Sequence, residues 1–336
     1  MKRLLISLLA LALCCTSLSA QQTKRQLIKK LTSVYELLDQ YYVEDVPLEP
    51  LVEEAIRATL RSLDPHSKYY TKEEMEVLKR HLRGEDNKSR PIEAYRVDSV
   101  GYIKISTFTK PIASEFYTAY QELGDVKSLV IDLRDNGGGY VTGAIDLTSL
   151  FLAKGDVIMT RVSKQREMVF KSNHDSILKD IPLVVIINEN TASASEIFAG
   201  AMQDHDRAII IGRTSYGKGL IQKFVENKDG SGIVITTAYD KTPSGRPIQR
   251  PYTMGEGDAY RSDSTRYIHP DLLQRDTSLR FKTLKLGREV YACGGITPDI
   301  YIATDDVDTL NEFEYTTQRA ISIASSSREM QSILEE

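Results

Sequence analysis

The 336-residue sequence is poor in cysteine, with three, at Cys14, Cys15 and Cys293. The first two fall in an apolar leader, so the chain beyond it has Cys293 alone and no intramolecular disulfide is available to it. Cys293 is expected as a small buried apolar side chain rather than a reactive thiol. Long apolar runs are just as scarce. MKRLLISLLALALCCTSLSA, residues 1–20, has a basic start, an apolar stretch and a small-residue exit, the pattern of a cleaved export signal. No later segment approaches the roughly 18 to 20 apolar residues that a membrane-spanning helix needs. An excess of one charge is missing too. The formal net charge is −4, and with Lys2 and Arg3 removed 41 basic residues face 47 acidic ones. That balance offers no electrostatic case for nucleic acid or anionic lipid as a partner. The expectation is an exported protein, periplasmic or secreted, that begins near Gln21. Lipid attachment at Cys14 or Cys15 is the alternative, disfavoured by Leu13 standing where a small residue is usual.

Histidine is limited to His66, His81, His174, His205 and His269. No two have metal-ligand spacing, and the acids Asp204 and Asp206 lack a calcium-loop pattern, so neither a metal nor another cofactor is expected. His205 lies about three helical turns beyond Ser193, too far along an axis to serve its hydroxyl, and reads as a packing residue.

What is present is organised. Leu27, Leu31, Val34, Leu38 and Tyr41, and then Leu51, Ala55, Ile56, Leu60 and Leu63, recur at helical spacing, so residues 24–63 predict two amphipathic helices. Asp64-Pro65 ends the second helix. Thr71 and Glu74 form a capping-box pattern for a short helix to about Leu82. RGEDNKSRPIEAYRVD, residues 83–98, is polar and patternless and reads as a linker. Beyond it, GYIKIST, a helix over 112–123, SLVIDL, a helix over 140–152, VIMTRV, PLVVIIN, a helix from Ser193, AIIIG and GIVITTA alternate as strands and helices of an α/β core. Residues 253–283 read as a polar surface excursion, and 305–336 as a terminal helix with a frayed end.

Three stretches carry chemistry. In TASASE, Ser193 followed by Glu196 is a capping box, and a structural cap is one full reading of it. The other is a nucleophile. A serine at a strand-to-helix turn exposes its hydroxyl, while the next N–H, that of Ala194, faces developing negative charge. A serine nucleophile needs a base. Lys218, between Gly217 and Gly219, is either a turn lysine or that base. As a base its pKa must fall well below the ordinary value of about 10.4, which burial supplies. Gln222 offers an uncharged hydrogen bond to orient the amine. DLRDNGGGY, residues 132–140, lacks the Gly-Lys-Ser/Thr of a phosphate loop. Its glycine N–H groups suit an oxyanion hole, or the run is simply a flexible turn.

SLDPHSKY, DLRDNGGG, TASASEIFAGAMQD, TSYGKGLIQ, TPSGRPIQ and GGITPDI, in this order over residues 30–302, resemble the carboxyl-terminal processing peptidases, tail-specific serine proteases of family S41. The resemblance implies a crotonase/ClpP-like α/β core of repeated strand-strand-helix units with an N-terminal helical appendage. It also implies a serine–lysine mechanism, with Ser193 as nucleophile, Lys218 as base and Gln222 as the amide that orients it. The oxyanion donors fall on the backbone of Ala194 and Gly139. Asp204 matches an acid given a supporting, structural role, and Arg134 and Asn136 fit the loop pattern. Members of the family usually carry a peptide-binding PDZ domain where this chain has only residues 83–98.

The division expected is a signal peptide over 1–20, a helical region over 21–82, the linker over 83–98, a catalytic core over 99–304 and a helical tail over 305–336. The function expected is an exported serine endopeptidase that acts on unfolded or C-terminally exposed segments of secreted polypeptides, with homo-oligomers through the N-terminal helices. The rivals are a catalytically weak peptide-binding scaffold on the same fold and acyl-CoA chemistry. Export away from the cytoplasmic CoA pool argues against the latter.

Overall fold

The computed structural model describes residues 23–83, 91–262, 277–303 and 312–335. The export-signal expectation for 1–20 therefore lies outside the described residues. The chain divides into two compact units, Met1–Thr59 and Leu60–Glu336.

In the first unit, α1 spans 23–41 and is followed by the start of α2, Leu48–Arg61. Tyr35 donates to the Leu51 carbonyl at 3.4 Å. Leu27, Leu31, Val34, Leu37 and Tyr41 of α1 remain exposed. Among the described residues no helix is long and apolar enough to cross a membrane.

In the second unit, a short strand β1 (Lys68–Tyr70) leads into α3 (Lys72–Arg83). The box predicted at its start is closed on both sides, Thr71 N–H to Glu74 Oε2 at 2.8 Å and Glu74 N–H to Thr71 Oγ1 at 3.3 Å. Then follow β2 (Ile92–Val97), β3 (Val100–Ile105), α4 (Ile112–Glu122), β4 (Ser128–Asp132), α5 (Val141–Ser149), β5 (Val157–Ser163), β6 (Glu167–Lys171) and β7 (Leu183–Ile187). The remaining elements are α6 (Ala194–Asp204), β8 (Ile209–Gly212), β9 (Leu220–Glu226), β10 (Gly232–Lys241), α7 (Gly257–Ser262), β11 (Arg280–Lys282), β12 (Glu289–Tyr291), β13 (Ile300–Tyr301), α8 (Glu312–Ser325) and α9 (Ser327–Glu335).

One sheet has the order β13-β8-β7-β4-β3-β2, parallel throughout except for the antiparallel edge strand β2. Its central strands are covered on both faces, which is why SLVID, LVVII and IIIG are continuous apolar runs. Alternate residues serve two cores. Ile103, Ile105, Leu129, Ile131, Val185 and Ile210 pack with Phe116, Leu147 and Phe198 of α4, α5 and α6. Tyr102, Val130, Val184, Ile186, Ile209 and Ile211 pack with Ala320, Ile323 and Ala324 of α8 and Met330 of α9. The second sheet, antiparallel, runs β1-β10-β5-β6, with β9 on β10.

The α/β class and the N-terminal helices are as expected, with three corrections. The stretch read as a linker holds β2, which pairs with β3 from Ile92↔Ile105 to Val97↔Val100. Its residues are largely exposed, as befits an edge strand, so no apolar alternation marked it. The surface excursion contains α7, whose Tyr260 is buried. The supposed frayed tail is a packed helical layer, because the small residues Ala320 and Ala324 let α8 lie close on the sheet. Only residues 84–91 separate α3 from β2, an interval too short for a domain.

Candidate active site

The parallel order β8-β7-β4-β3 brings the carboxyl ends of four neighbouring strands to one edge of the sheet, where α/β folds bind ligands. Loops 213–219, 188–193, 133–140 and 106–109 leave from those ends and therefore lie side by side.

Ser193 sits between β7 and α6 with φ 58° and ψ −115°, a region that non-glycine residues enter at a cost of roughly 1–3 kcal/mol. Ser193 and Glu196 close the predicted capping box from both sides, the Ser193 side chain accepting from the Glu196 backbone. In return Glu196 Oε2 accepts the Ser193 N–H at 2.7 Å, and the Glu196 N–H also lies 2.9 Å from the Ser193 carbonyl. The Ser193 hydroxyl accepts within the box and donates to no acceptor among the described residues, so the cap leaves its proton available to a base.

Glu196 does more than a capping box requires. It is fully buried, and its carboxylate also accepts Ser215 Oγ at 2.6 Å, the Gly217 N–H at 2.6 Å and the Lys218 N–H at 2.9 Å. Burial pushes this carboxyl above its usual range, and the four donated hydrogen bonds pull against that. One side chain therefore joins the Ser193 turn to the Lys218 turn. Local spacing assigns Glu196 only its helix role, since its second set of partners is some twenty residues away along the chain.

Lys218 is partly buried. Burial lowers the pKa of its amine, Glu196 opposes this, and Lys68 adds to it. Close packing depends on glycine here. Gly217 has φ 82°, and a Cβ on it would lie 2.9 Å from Arg250 Cβ and 3.0 Å from the Gly294 carbonyl carbon. Among the described residues the Lys218 amine has no hydrogen-bond or ion-pair partner. Gln222, expected to orient it, lies on β9, and its Nε2 donates to the Leu220 carbonyl at 3.1 Å and to Thr236 Oγ1 at 3.4 Å.

The glycine loop lies against the serine turn through Asn136. This residue donates to the Ile105 carbonyl at 2.8 Å, accepts Gly138 N–H on its side chain at 2.9 Å, and accepts Ala192 N–H and Ser195 Oγ on its carbonyl, each at 3.0 Å. A Cβ on Gly138 would sit 2.9 Å from both Ala194 N and Ser193 Cβ. Gly139 pairs with Phe108 in an isolated parallel bridge and has φ 140°. Neither the Ala194 nor the Gly139 N–H has an acceptor among the described residues. Two donors without acceptors among the described residues therefore belong to the serine turn and to the loop packed on it, an arrangement able to stabilise an oxyanion formed at the Ser193 hydroxyl.

The remaining expected residues stand apart. Arg134 turns from the loop to the opposite face, donating to Asp132 carboxylate oxygens, to the Phe313 carbonyl at 2.8 Å and to Thr317 Oγ1 at 2.6 Å. Asp204 is buried at the far end of α6, paired with Arg246 at 2.8 Å and accepting the Ser244 N–H at 2.8 Å. His205 is buried with Nε2 2.7 Å from the Val157 carbonyl.

Residues 99–255 match peptidase family S41, and residues 13–74 match the N-terminal domain of the activating protease CtpB. The chain is 37% identical over 153 residues to the chloroplastic C-terminal processing peptidase of Tetradesmus obliquus, covering 45% of this chain and 33% of that protein. It is 39% identical over 163 residues to the carboxy-terminal-processing protease of Bartonella bacilliformis, covering 46% and 38% respectively. The chain thus spans little more than a third of the length of these relatives. A lipoprotein structure from Streptococcus agalactiae superimposes with a TM-score of 0.51 at 15% identity, over 83% of this chain and 84% of that one, a likeness of fold alone.

Proposed function

This chain belongs to peptidase family S41, and from that premise we propose that it is an exported serine endopeptidase acting on unfolded or C-terminally exposed segments of secreted polypeptides. The observation that carries the reading is the carboxylate of Glu196, which binds the turn of a serine whose hydroxyl proton has no acceptor among the described residues to the turn of a lysine with a depressed pKa. Neutral Lys218 takes the Ser193 Oγ proton as Oγ attacks the scissile carbonyl carbon. The oxyanion forms beside the Ala194 and Gly139 N–H groups, and the Lys218 ammonium returns the proton to the leaving amine as the C–N bond breaks. Water, activated by the same amine, then releases the acyl group from Ser193. Gln222, whose Nε2 is bonded to the Leu220 carbonyl and Thr236 Oγ1, serves the Lys218 amine in this scheme through its Oε1.

The two relatives are named for carboxyl-terminal processing, and substrate choice here is read in that light. With only residues 84–91 between α3 and β2, no separate module at that point captures a substrate terminus. Local unfolding and sequence around the cleaved bond then matter more than the terminal residues. The exposed apolar stripe of α1 is the proposed contact between copies.

The test is digestion of casein by the mature protein beside Ser193→Ala. Hydrolysis by the parent and none by the variant is expected. Binding of casein by both without cleavage would establish the scaffold reading instead.

A further inference from the structure

The SLDPHSKY motif has no role in the scheme above, yet its loop reaches the site. Asp64, buried, accepts the His66 and Ser67 N–H groups on Oδ1 at 2.9 Å each and Ser67 Oγ on Oδ2 at 2.5 Å. The same loop is tied to β10: Thr236 Oγ1 donates to Asp64 Oδ1 at 3.0 Å, and Thr236 N–H to Ser67 Oγ at 3.1 Å. Thr236 is the cross-strand partner of Gln222. The His66 ring stands edge-on to Tyr260, centroids 5.6 Å apart at 85°, and the Tyr260 hydroxyl donates to the carbonyl of Gly217, the residue before Lys218, at 3.4 Å.

Held in this way, His66 has a buried Nε2 with no hydrogen-bond partner among the described residues. Buried polar atoms without partners are few in native proteins and need a reason. Burial pushes the ring's pKa down to about 4. The charge on Lys218 is the next cause, with Lys68 and Arg250 acting in the same direction and Asp64 against them. The ring is therefore neutral wherever a lysine base works, and its buried Nε2 is left without a partner among the described residues.

We propose that His66 is a positioning residue for Lys218: with its ring proton on Nδ1, the unused Nε2 accepts a hydrogen bond from the lysine ammonium once the amine holds the Ser193 proton. This rests on the serine–lysine reading, and it gives the amine an orienting acceptor beyond the amide of Gln222, whose Nε2 is bonded to the Leu220 carbonyl and Thr236 Oγ1. The acceptor steadies the charged amine while it waits for the leaving nitrogen.

Two measurements on the full mature chain test this. In the first, ring resonances of labelled histidines are titrated, with His66 assigned by their loss in His66→Phe. A midpoint near 4 is expected in the parent. In Lys218→Met it should rise, because a depressing charge has gone. An ordinary midpoint, or one indifferent to Lys218→Met, overturns the proposal, and this arm needs no peptidase activity. The second compares His66→Phe, which keeps the ring edge on Tyr260, with His66→Gln, which restores an acceptor. Expected are a fall in kcat of about tenfold for His66→Phe with little change in KM, and partial recovery in His66→Gln. The rising limb of the pH profile should also move to lower pH in His66→Phe, since the ammonium loses an acceptor. A His66→Phe protein with the parent's kcat and pH limb sinks the proposal and leaves the peptidase reading standing. A parent that cleaves nothing sinks that reading, while the titration still reports whether ring and amine are coupled.

Discussion

Ser193 and Lys218 donate their backbone N–H groups to one and the same oxygen, Oε2 of Glu196, at 2.7 and 2.9 Å. The spacing of the two turns is therefore set by a buried carboxylate rather than by direct contact of the reacting groups. Glu196→Gln replaces one acceptor oxygen by an NH₂ group that faces N–H or O–H donors. Each donor left unmatched costs about 1–3 kcal/mol. A lower Tm and a fall in kcat exceeding any change in KM are expected from thermal melts and casein kinetics. A variant with the parent's kcat would show that the carboxylate does not set the spacing.

The strained backbone at Ser193 separates two inactive variants. Ser193→Ala keeps a Cβ at φ 58° and Ser193→Gly does not, so the glycine variant should be the more stable by about 1 kcal/mol. Both should fold and neither should cleave casein. Ser195→Ala loses only a hydroxyl donated to the Asn136 carbonyl at 3.0 Å and should retain turnover within about tenfold. Normal turnover in Ser193→Ala beside a dead Ser195→Ala would reverse the assignment within TASASE.

Gly138→Ala tests the oxyanion region without touching a reacting side chain. Its Cβ would lie 2.8 Å from the Ala192 carbonyl oxygen and 2.9 Å from Ala194 N, so the serine turn or the loop has to give way. A loss of about 100-fold in kcat with the fold retained is expected. Unaltered kinetics would remove the loop from the mechanism.

The pH profile follows from the amine. Burial lowers the Lys218 pKa, and if the neutral amine is the base, as proposed, activity should rise with pH on an ionisation below the ordinary lysine value of about 10.4. By linkage the same depressed pKa makes the folded state less stable as pH falls from about 10.4 toward the folded value, so the Tm is expected to fall over that range together with the activity, and both should recover when the pH is restored. Lys218→Arg should be inactive at every pH, because guanidinium keeps its proton. A working arginine variant would exclude the lysine as base.

The helices of 24–63 are legible because their apolar residues recur at helical spacing even though most stay exposed, and the central strands because their apolar residues run on where both faces are covered. β9 escaped notice because LIQKFVE, most of it exposed, alternates no apolar face, and Gln222 was consequently placed without its strand partner Thr236. β2 escaped for the same reason.

Residue type and local spacing single out Ser193, Lys218 and the glycine run from the sequence alone, since a hydroxyl at a strand-to-helix turn, a lysine between glycines and three adjacent glycines are local features. The partnerships are decided by tertiary structure. Glu196 clasps the Lys218 turn, Asn136 joins the glycine loop to the serine turn, and the Asp64 loop brings His66 beside Tyr260. Each of these contacts depends on strand order, and strand order is settled by burying two faces of one sheet, a property of the whole chain that no short stretch encodes.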